Sequence, residues 1–93
     1  MSRYARKRDA NERDIIDALR NAGCMVIQET NIDLWVLPPH LPHWIPMEVK
    51  TKTGKLTDYQ TRLHASMRAD YNYNIAIVTT IDEALEAAEL RNR

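Results

Sequence analysis

The sequence predicts an α/β fold in the order helix, three strands, helix, strand, helix. Apolar residues recur with helical spacing in three segments, at 10–22, 57–70 and 80–88. Short apolar runs of strand length lie between them, at 24–28, 31–37, 46–51 and 74–79. The chain of 93 residues suits one domain, and no Gly-rich or low-complexity stretch suggests a linker. We expect a basic arm over 1–9 and a single domain over 10–93.

The first helix is predicted to begin after Asp9 and to stop at Gly23. Its buried side would consist of apolar residues at helical spacing: Ile15, Ile16, Leu19 and Ala22. Glu12 stands three residues after Asp9, which is the spacing of a capping box. It also borders the buried side. Two uses therefore stay open: Glu12 either completes the cap or reaches a site beneath the helix.

The next two strands are separated by a turn at Glu29 and Thr30, and Cys24 begins the first of them as a buried thiol. All four prolines fall between Pro38 and Pro46, so we expect a stiff loop there. His40 and His43 in that loop have a spacing that zinc ligands can have. The ligand set is incomplete with one cysteine in the chain, so we expect loop packing or DNA contact instead.

The second helix is predicted to begin after Thr57, with Tyr59, Leu63 and Met67 on its apolar side. Gln60 would be either the partner of Thr57 in a capping box or a hydrogen-bonding group facing a site, since one side chain should not do both. The last strand, 74–79, is continuously apolar and should be buried on both faces. Thr80 and Glu83 should cap a helix that packs through four residues: Ile81, Ala84, Leu85 and Ala88.

Two ionisable residues interrupt the apolar strand at 46–51. Glu48 and Lys50 are two residues apart, so both side chains should emerge on one face about 6–7 Å apart. Asp33 interrupts the strand before it in the same way, and a hairpin would bring Asp33 and Glu48 together. Two carboxylates with a carbonyl form a hard-oxygen site that favours Mg²⁺ or Mn²⁺. The alternative for Glu48 and Lys50 is an ion pair on a solvated sheet face.

The net charge of zero conceals an uneven distribution. Residues 1–13 carry five basic and two acidic side chains, and 50–68 carry five basic and one acidic, whereas 14–49 carry one basic and five acidic. Basic segments around an acidic centre suit a polyanion held beside a metal site, and solvated helix surfaces are the alternative. The candidate DNA-contacting residues are Lys52, Lys55, Arg6, Lys7, Arg8 and Arg62.

The Asp33 strand, Glu48-Val49-Lys50 and Gln60 on the next helix, with Glu12 on the first, resemble the PD-(D/E)XK nuclease superfamily. Glu-Val-Lys-Thr followed by Gly-Lys-Leu-Thr and Gln is similar to stand-alone virus-type replication-repair nuclease (VRR-NUC) domains, over about 10–88. The resemblance implies a restriction-endonuclease-like αβββαβα core with a mixed sheet flanked by helices. It departs at Ile32, where the family often has Pro or Gly.

By this resemblance Asp33, Glu48 and the Val49 carbonyl would hold Mg²⁺ or Mn²⁺. Lys50 would act on the attacking water, Gln60 would support the site, and Glu12 would add an indirect metal contact. The resemblance implies a metal-dependent DNA endonuclease, structure-selective for branched DNA or Holliday junctions.

A domain this small covers little duplex, so we expect a homodimer, and the candidates for its surface are Trp35, Trp44 and the proline loop. Core packing is the alternative for both tryptophans. A non-catalytic DNA-binding or assembly module with the same fold is the alternative. We expect no membrane association and a cytoplasmic location, because no apolar stretch is long enough to span a bilayer. The resemblance implies that the cell is bacterial or a phage-infected host.

Overall fold

The computed structural model describes residues 10–90, and the predicted basic arm lies outside them. The elements follow the predicted order. They are α1 (Glu12–Asn21), β1 (Met25–Gln28), β2 (Leu34–Leu37), β3 (Ile45–Val49), α2 (Asp58–Tyr71), β4 (Ala76–Val78) and α3 (Ile81–Ala87). None of the helices within this range is long and apolar enough to cross a membrane.

The strands form one mixed sheet in the order β1-β2-β3-β4. β1, β2 and β3 are antiparallel neighbours, and β4 joins β3 in parallel after the crossover through α2. In the β2–β3 register Leu34 lies opposite Met47 and Trp35 lies opposite Pro46. Continued by one residue, this register sets Asp33 opposite Glu48. The predicted α/β fold with a mixed sheet flanked by helices is therefore confirmed.

The hydrophobic core lies between one face of the sheet and helices α1 and α3. Alternate strand residues point to that face, as the period of two requires. Leu34, Val36, Met47 and Val49 are completely buried there. The helices contribute Ile15, Ile16, Leu19, Ala84 and Ala88. Cys24 joins this cluster, so its predicted burial is confirmed.

The start of α1 differs from the prediction. The helix begins at Glu12, and its N-cap is Asn11, whose side chain makes no capping hydrogen bond. The predicted cap, Asp9, lies outside the described residues. The stop is confirmed, because Gly23 has a φ of 97°, in the left-handed region that favours glycine.

Helix α2 covers the opposite face of the sheet only in part. Met25, Ile27 and Ile77 on that face are 59%, 48% and 51% exposed. The prediction that 74–79 is buried on both faces is therefore wrong at Ile77, which lies opposite Glu48 on the face that α2 covers only in part. Ile81 is 40% exposed, so its predicted packing in α3 is also wrong.

The outer strands β1 and β4 and the end of the proline loop each make specific contacts at the sheet. Arg20 of α1 donates a hydrogen bond to the carbonyl of Val26 in the edge strand β1, with an Nη2–O distance of 3.0 Å. Pro46, which the sequence placed both at the end of the proline loop and at the start of the predicted strand, is the second residue of β3. β4 pairs with β3 only from Met47 onward.

Candidate functional site

Asp33 follows a turn that is stabilised by hydrogen bonds to Glu29. The Glu29 carboxylate accepts hydrogen bonds from the backbone N–H groups of Asn31 (3.1 Å) and Ile32 (2.9 Å). The Glu29 N–H in turn donates to the Asp33 carbonyl at 3.1 Å. Burial alone would raise the pKa of Glu29, but these hydrogen bonds together lower it below its ordinary value. The sequence predicted a turn at Glu29 and Thr30, but not that the Glu29 carboxylate stabilises it.

The Asp33 carboxylate lies against the backbone of β3. Its side chain is 3% exposed, and Oδ2 accepts a hydrogen bond from the Val49 N–H at 2.8 Å. That N–H belongs to the peptide unit joining Glu48 to Val49. The predicted convergence of Asp33 and Glu48 is thus supported by the register and by this contact one peptide away from Glu48.

Glu48 is completely buried beneath α2. Gln60 Nε2 donates to Glu48 Oε2 at 2.7 Å, and His64 Nε2 lies 3.2 Å from Glu48 Oε1. The alternative of a solvated ion pair with Lys50 is therefore wrong for Glu48, because helix α2 excludes solvent from this carboxylate. A buried acid is costly unless polar partners compensate it, and its presence here marks a candidate functional site.

Gln60 performs both of the uses that were predicted to be exclusive. Its Oε1 accepts from the Thr57 N–H at 2.9 Å, while its own N–H donates to Thr57 Oγ1 at 3.1 Å. These two contacts form the capping box of α2. Nε2, the other polar atom of the same side-chain amide, remains available to donate to Glu48. An amide has a donor and an acceptor, so one residue can cap the helix and bind the site carboxylate.

His64 was not predicted as a site residue. It lies one helical turn after Gln60, and this spacing was the available signal because residues four apart share a helix face. Burial lowers the pKa of His64, and the positive charge of Lys50 lowers it further. A neutral imidazole can still donate Nε2–H to the Glu48 carboxylate.

Lys50 is half-buried at the end of β3, where three elements meet. Its N–H donates to the Val78 carbonyl at 3.0 Å. Asn11 Nδ2 donates to the carbonyls of Lys50 (3.2 Å) and Thr79 (2.6 Å). Asn11, also missed by sequence reasoning, therefore joins the start of α1 to the ends of β3 and β4.

Glu12 is 2% exposed and is the first residue of α1. It accepts a hydrogen bond from Gln28 Nε2 at 3.3 Å. In a capping box the acidic residue stands at the third helical position, so the capping alternative for Glu12 is wrong. Its expected place on the buried side of the helix is confirmed.

Three of the six basic candidates lie in the part of the chain that the structure describes. Lys52 and Lys55 are exposed in the segment between β3 and α2, and Arg62 is exposed on α2. Arg6, Lys7 and Arg8 lie outside the described residues. His40 and His43 are both exposed in the proline loop.

The residues of the candidate site can be compared with the ligands that a metal ion requires. Within 10–90, no three His, Cys, Asp or Glu side chains converge as a metal-binding group. The predicted set contains only two carboxylates, completed by the Val49 carbonyl, and its oxygen donors suit Mg²⁺ or Mn²⁺. Each carboxylate oxygen has more than one lone pair, so the hydrogen bonds to Asp33 and Glu48 leave acceptor capacity for a cation.

Comparison of the chain with protein-family models, curated proteins and solved structures yields no match.

Proposed function

We propose that this protein is a metal-dependent endonuclease that hydrolyses phosphodiester bonds in DNA. The observation that carries the proposal is the pair of buried carboxylates, Asp33 and Glu48, which the β2–β3 register sets opposite each other when it is continued by one residue. Lys50 follows Glu48 by two residues. Core packing does not account for two buried acids beside a lysine, because burying charged groups is costly. The same arrangement provides oxygen ligands and a cation where a phosphodiester would react.

Asp33, Glu48 and the Val49 carbonyl would hold Mg²⁺ or Mn²⁺. A bound cation supplies Lewis acidity toward the phosphodiester and lowers the pKa of a coordinated water. Asp33 is oriented by the Val49 N–H, and Glu48 by Gln60 and His64. These contacts restrict both carboxylates to single orientations before any ligand arrives, which reduces the ordering cost of binding.

Lys50 would orient the attacking water and stabilise negative charge on the phosphoryl oxygens. Burial lowers the pKa of His64, and the positive charge of Lys50 lowers it further. His64 is in turn 3.2 Å from Glu48, so the charge of Lys50 acts in the neighbourhood of the proposed metal ligands. Glu12, bonded to Gln28, would affect the metal indirectly.

The proposed substrate is branched DNA, and the proposed active form is a homodimer that presents two sites. Exposed Lys52, Lys55 and Arg62 provide phosphate contacts. A domain of 93 residues covers little duplex, and two symmetric sites suit paired cuts at a junction. A test incubates the protein with a four-way junction and with linear duplex, in Mg²⁺, Mn²⁺ or EDTA.

We expect metal-dependent cleavage of the junction, abolished in Asp33→Asn and retained in Asp70→Asn. Asp70 is an exposed aspartate of α2 and serves as the matched control. The proposal is contradicted if neither the junction nor the duplex is cut in Mg²⁺ or in Mn²⁺. It is also contradicted if Asp33→Asn cuts as well as the wild type. The oligomeric state is measured separately by sedimentation.

A non-catalytic DNA-binding or assembly module is the second candidate. The observation that favours it is that both Glu48 oxygens already accept or share hydrogen bonds, with Gln60 and His64, as a purely structural carboxylate would. This candidate requires salt-sensitive DNA binding that depends on Lys52 and Lys55. It also requires that Glu48→Gln leave DNA binding unchanged and that no cleavage occur.

A further inference from the structure

An aromatic hollow lies on the sheet face that carries Glu48. It has a volume of about 390 Å³ and is lined by Ile27, Trp35, Trp44 and Tyr73. The rings of Trp35 and Tyr73 have centroids 5.9 Å apart and are tilted by 48°. Tyr73 Oη donates to the Trp44 carbonyl at 2.8 Å, which fixes the phenol against the loop. The hollow is thus formed by aromatic side chains held in place before any ligand binds.

The position of the hollow follows from the strand register. Trp35 lies opposite Pro46, and Glu48 is two residues after Pro46 on the same strand. Residues two apart on a strand share a face and are separated by about 6–7 Å. The Trp35 row and the Glu48 row are therefore adjacent on one face of the sheet.

A polar depression adjoins the hollow. It measures about 310 Å³ and is lined by Arg68, Asn72, Tyr73 and Asn74. Tyr73 forms part of both walls. The Arg68 guanidinium donates to Asn74 Oδ1, which holds the charged group beside the aromatic ring. An apolar aromatic space and a guanidinium thus occur side by side.

We propose that this hollow binds an unpaired nucleobase, with Arg68 contacting the phosphate of the same or the adjoining nucleotide. Aromatic side chains stack on bases of any sequence, and guanidinium groups bind phosphate. None of the described residues lining the hollow is charged, which suits a flat neutral base. A base paired within duplex is stacked on its neighbours and cannot enter such a space.

The inference rests on the proposed function only in taking DNA as the partner, and it adds the feature of DNA that is recognised. A strand entering by this route would place one unpaired nucleotide next to the acidic site. Unpaired nucleotides are present in single strands and at open branch points. The hollow would therefore select such DNA over continuous duplex.

The chain provides its own reporter, because both of its tryptophans line the hollow. Tryptophan fluorescence is followed while a single-stranded oligothymidylate, or a duplex of the same length, is added in EDTA. We expect the single strand to quench the fluorescence and the duplex to leave it nearly unchanged. Anisotropy of labelled DNA reports total binding in parallel.

The variants separate stacking from charge. Tyr73→Leu removes a wall of the hollow and should weaken single-strand binding at least about fivefold. Tyr73→Phe keeps the ring and loses only the bond to the Trp44 carbonyl, so it should weaken binding less than Tyr73→Leu does. Tyr71→Leu is the matched control, since Tyr71 is 76% exposed and does not line the hollow. Arg68→Gln should weaken binding and reduce its salt dependence.

Three results would overturn the proposal. One is equal quenching by duplex, and another is DNA binding by anisotropy without quenching. The third is a change in tryptophan fluorescence that occurs in the absence of DNA as the protein concentration is raised, and that is lost in Tyr73→Leu. Such a change would mean that a second copy of the chain fills the hollow. Because the titration is done in EDTA, it is independent of cleavage. Cleavage without quenching refutes only the base hollow, and quenching without cleavage refutes only the nuclease.

Discussion

Gln60 Nε2 donates to Glu48 Oε2 at 2.7 Å, while Gln60 Oε1 caps the helix from which it extends. The orientation of the amide is determined by this pair of contacts, because the end that accepts from Thr57 cannot also face the carboxylate. The cap of α2 and the position of a site carboxylate therefore depend on one side chain.

Replacing Gln60 with Glu should destabilise the protein by roughly 2–4 kcal/mol. The change removes a buried donor and puts a second carboxylate beside Glu48. The free energy of unfolding in urea measures the effect. Ser66→Glu is the control, since it adds the same charge at an exposed position of α2 and should change stability by about 0.5 kcal/mol or less. Equal stability of the two variants would show that the contact contributes nothing.

Adding Mn²⁺ should raise the melting temperature of the wild-type protein, and EDTA should reverse the rise. A ligand that binds only the folded state stabilises it by mass action. Asp33→Asn should lose most of this response, with metal affinity at least roughly tenfold weaker. The variant should still fold, since the Asn carbonyl oxygen can accept the Val49 N–H. An undiminished Mn²⁺ response in Asp33→Asn would argue against this residue as a ligand.

Glu29 should contribute to the acid sensitivity of the fold. Its pKa is lower in the folded protein than its ordinary value of 4.5, so its stabilisation is present above that pH and is lost as the pH falls through the folded value. Wild type should therefore be more stable than Glu29→Gln at pH 7, and the difference should shrink below pH 4.5. Urea midpoints of both proteins between pH 7 and pH 3 measure it. A difference that stays constant throughout this range would contradict the assignment.

Asn11→Asp should destabilise the protein by roughly 2–4 kcal/mol, and Asn11→Ala by less. The aspartate would direct acceptor oxygens at the Lys50 and Thr79 carbonyls, to which the Asn11 amide now donates. Asn21→Asp, at the exposed end of α1, is the control and should have the smaller effect. Thermal unfolding at pH 7 compares the three variants, and similar losses in both aspartate variants would speak against the bridging role.

The features that the sequence predicted correctly are those that depend on neighbouring residues. The capping boxes of Thr57 with Gln60 and of Thr80 with Glu83 each involve residues three apart, so their spacing is visible in the chain. The opposition of Asp33 and Glu48 was also predictable, because a hairpin pairs two adjacent strands. The element order followed from the same local patterns.

The features that were missed depend on contacts between distant elements. Asn11 is the N-cap of α1, and its side-chain amide donates to carbonyls 39 and 68 residues away, a use that no local pattern indicates. The exposure of Ile77 depends on where α2 crosses the sheet, which an apolar run does not reveal. His64 had a local signal, its spacing from Gln60, but its partner lies on another element.

Gln60 is the only buried residue of α2, a helix that the structure describes throughout its length. The helix therefore has little apolar anchorage, and its separation from the sheet costs less than unfolding the strands beneath it. We expect the amides of α2 to exchange with deuterium before those of β2 and β3. Each such opening would uncover the Glu48 carboxylate while the sheet stayed intact, so solvent access to this acid would be governed by the fluctuation of one helix.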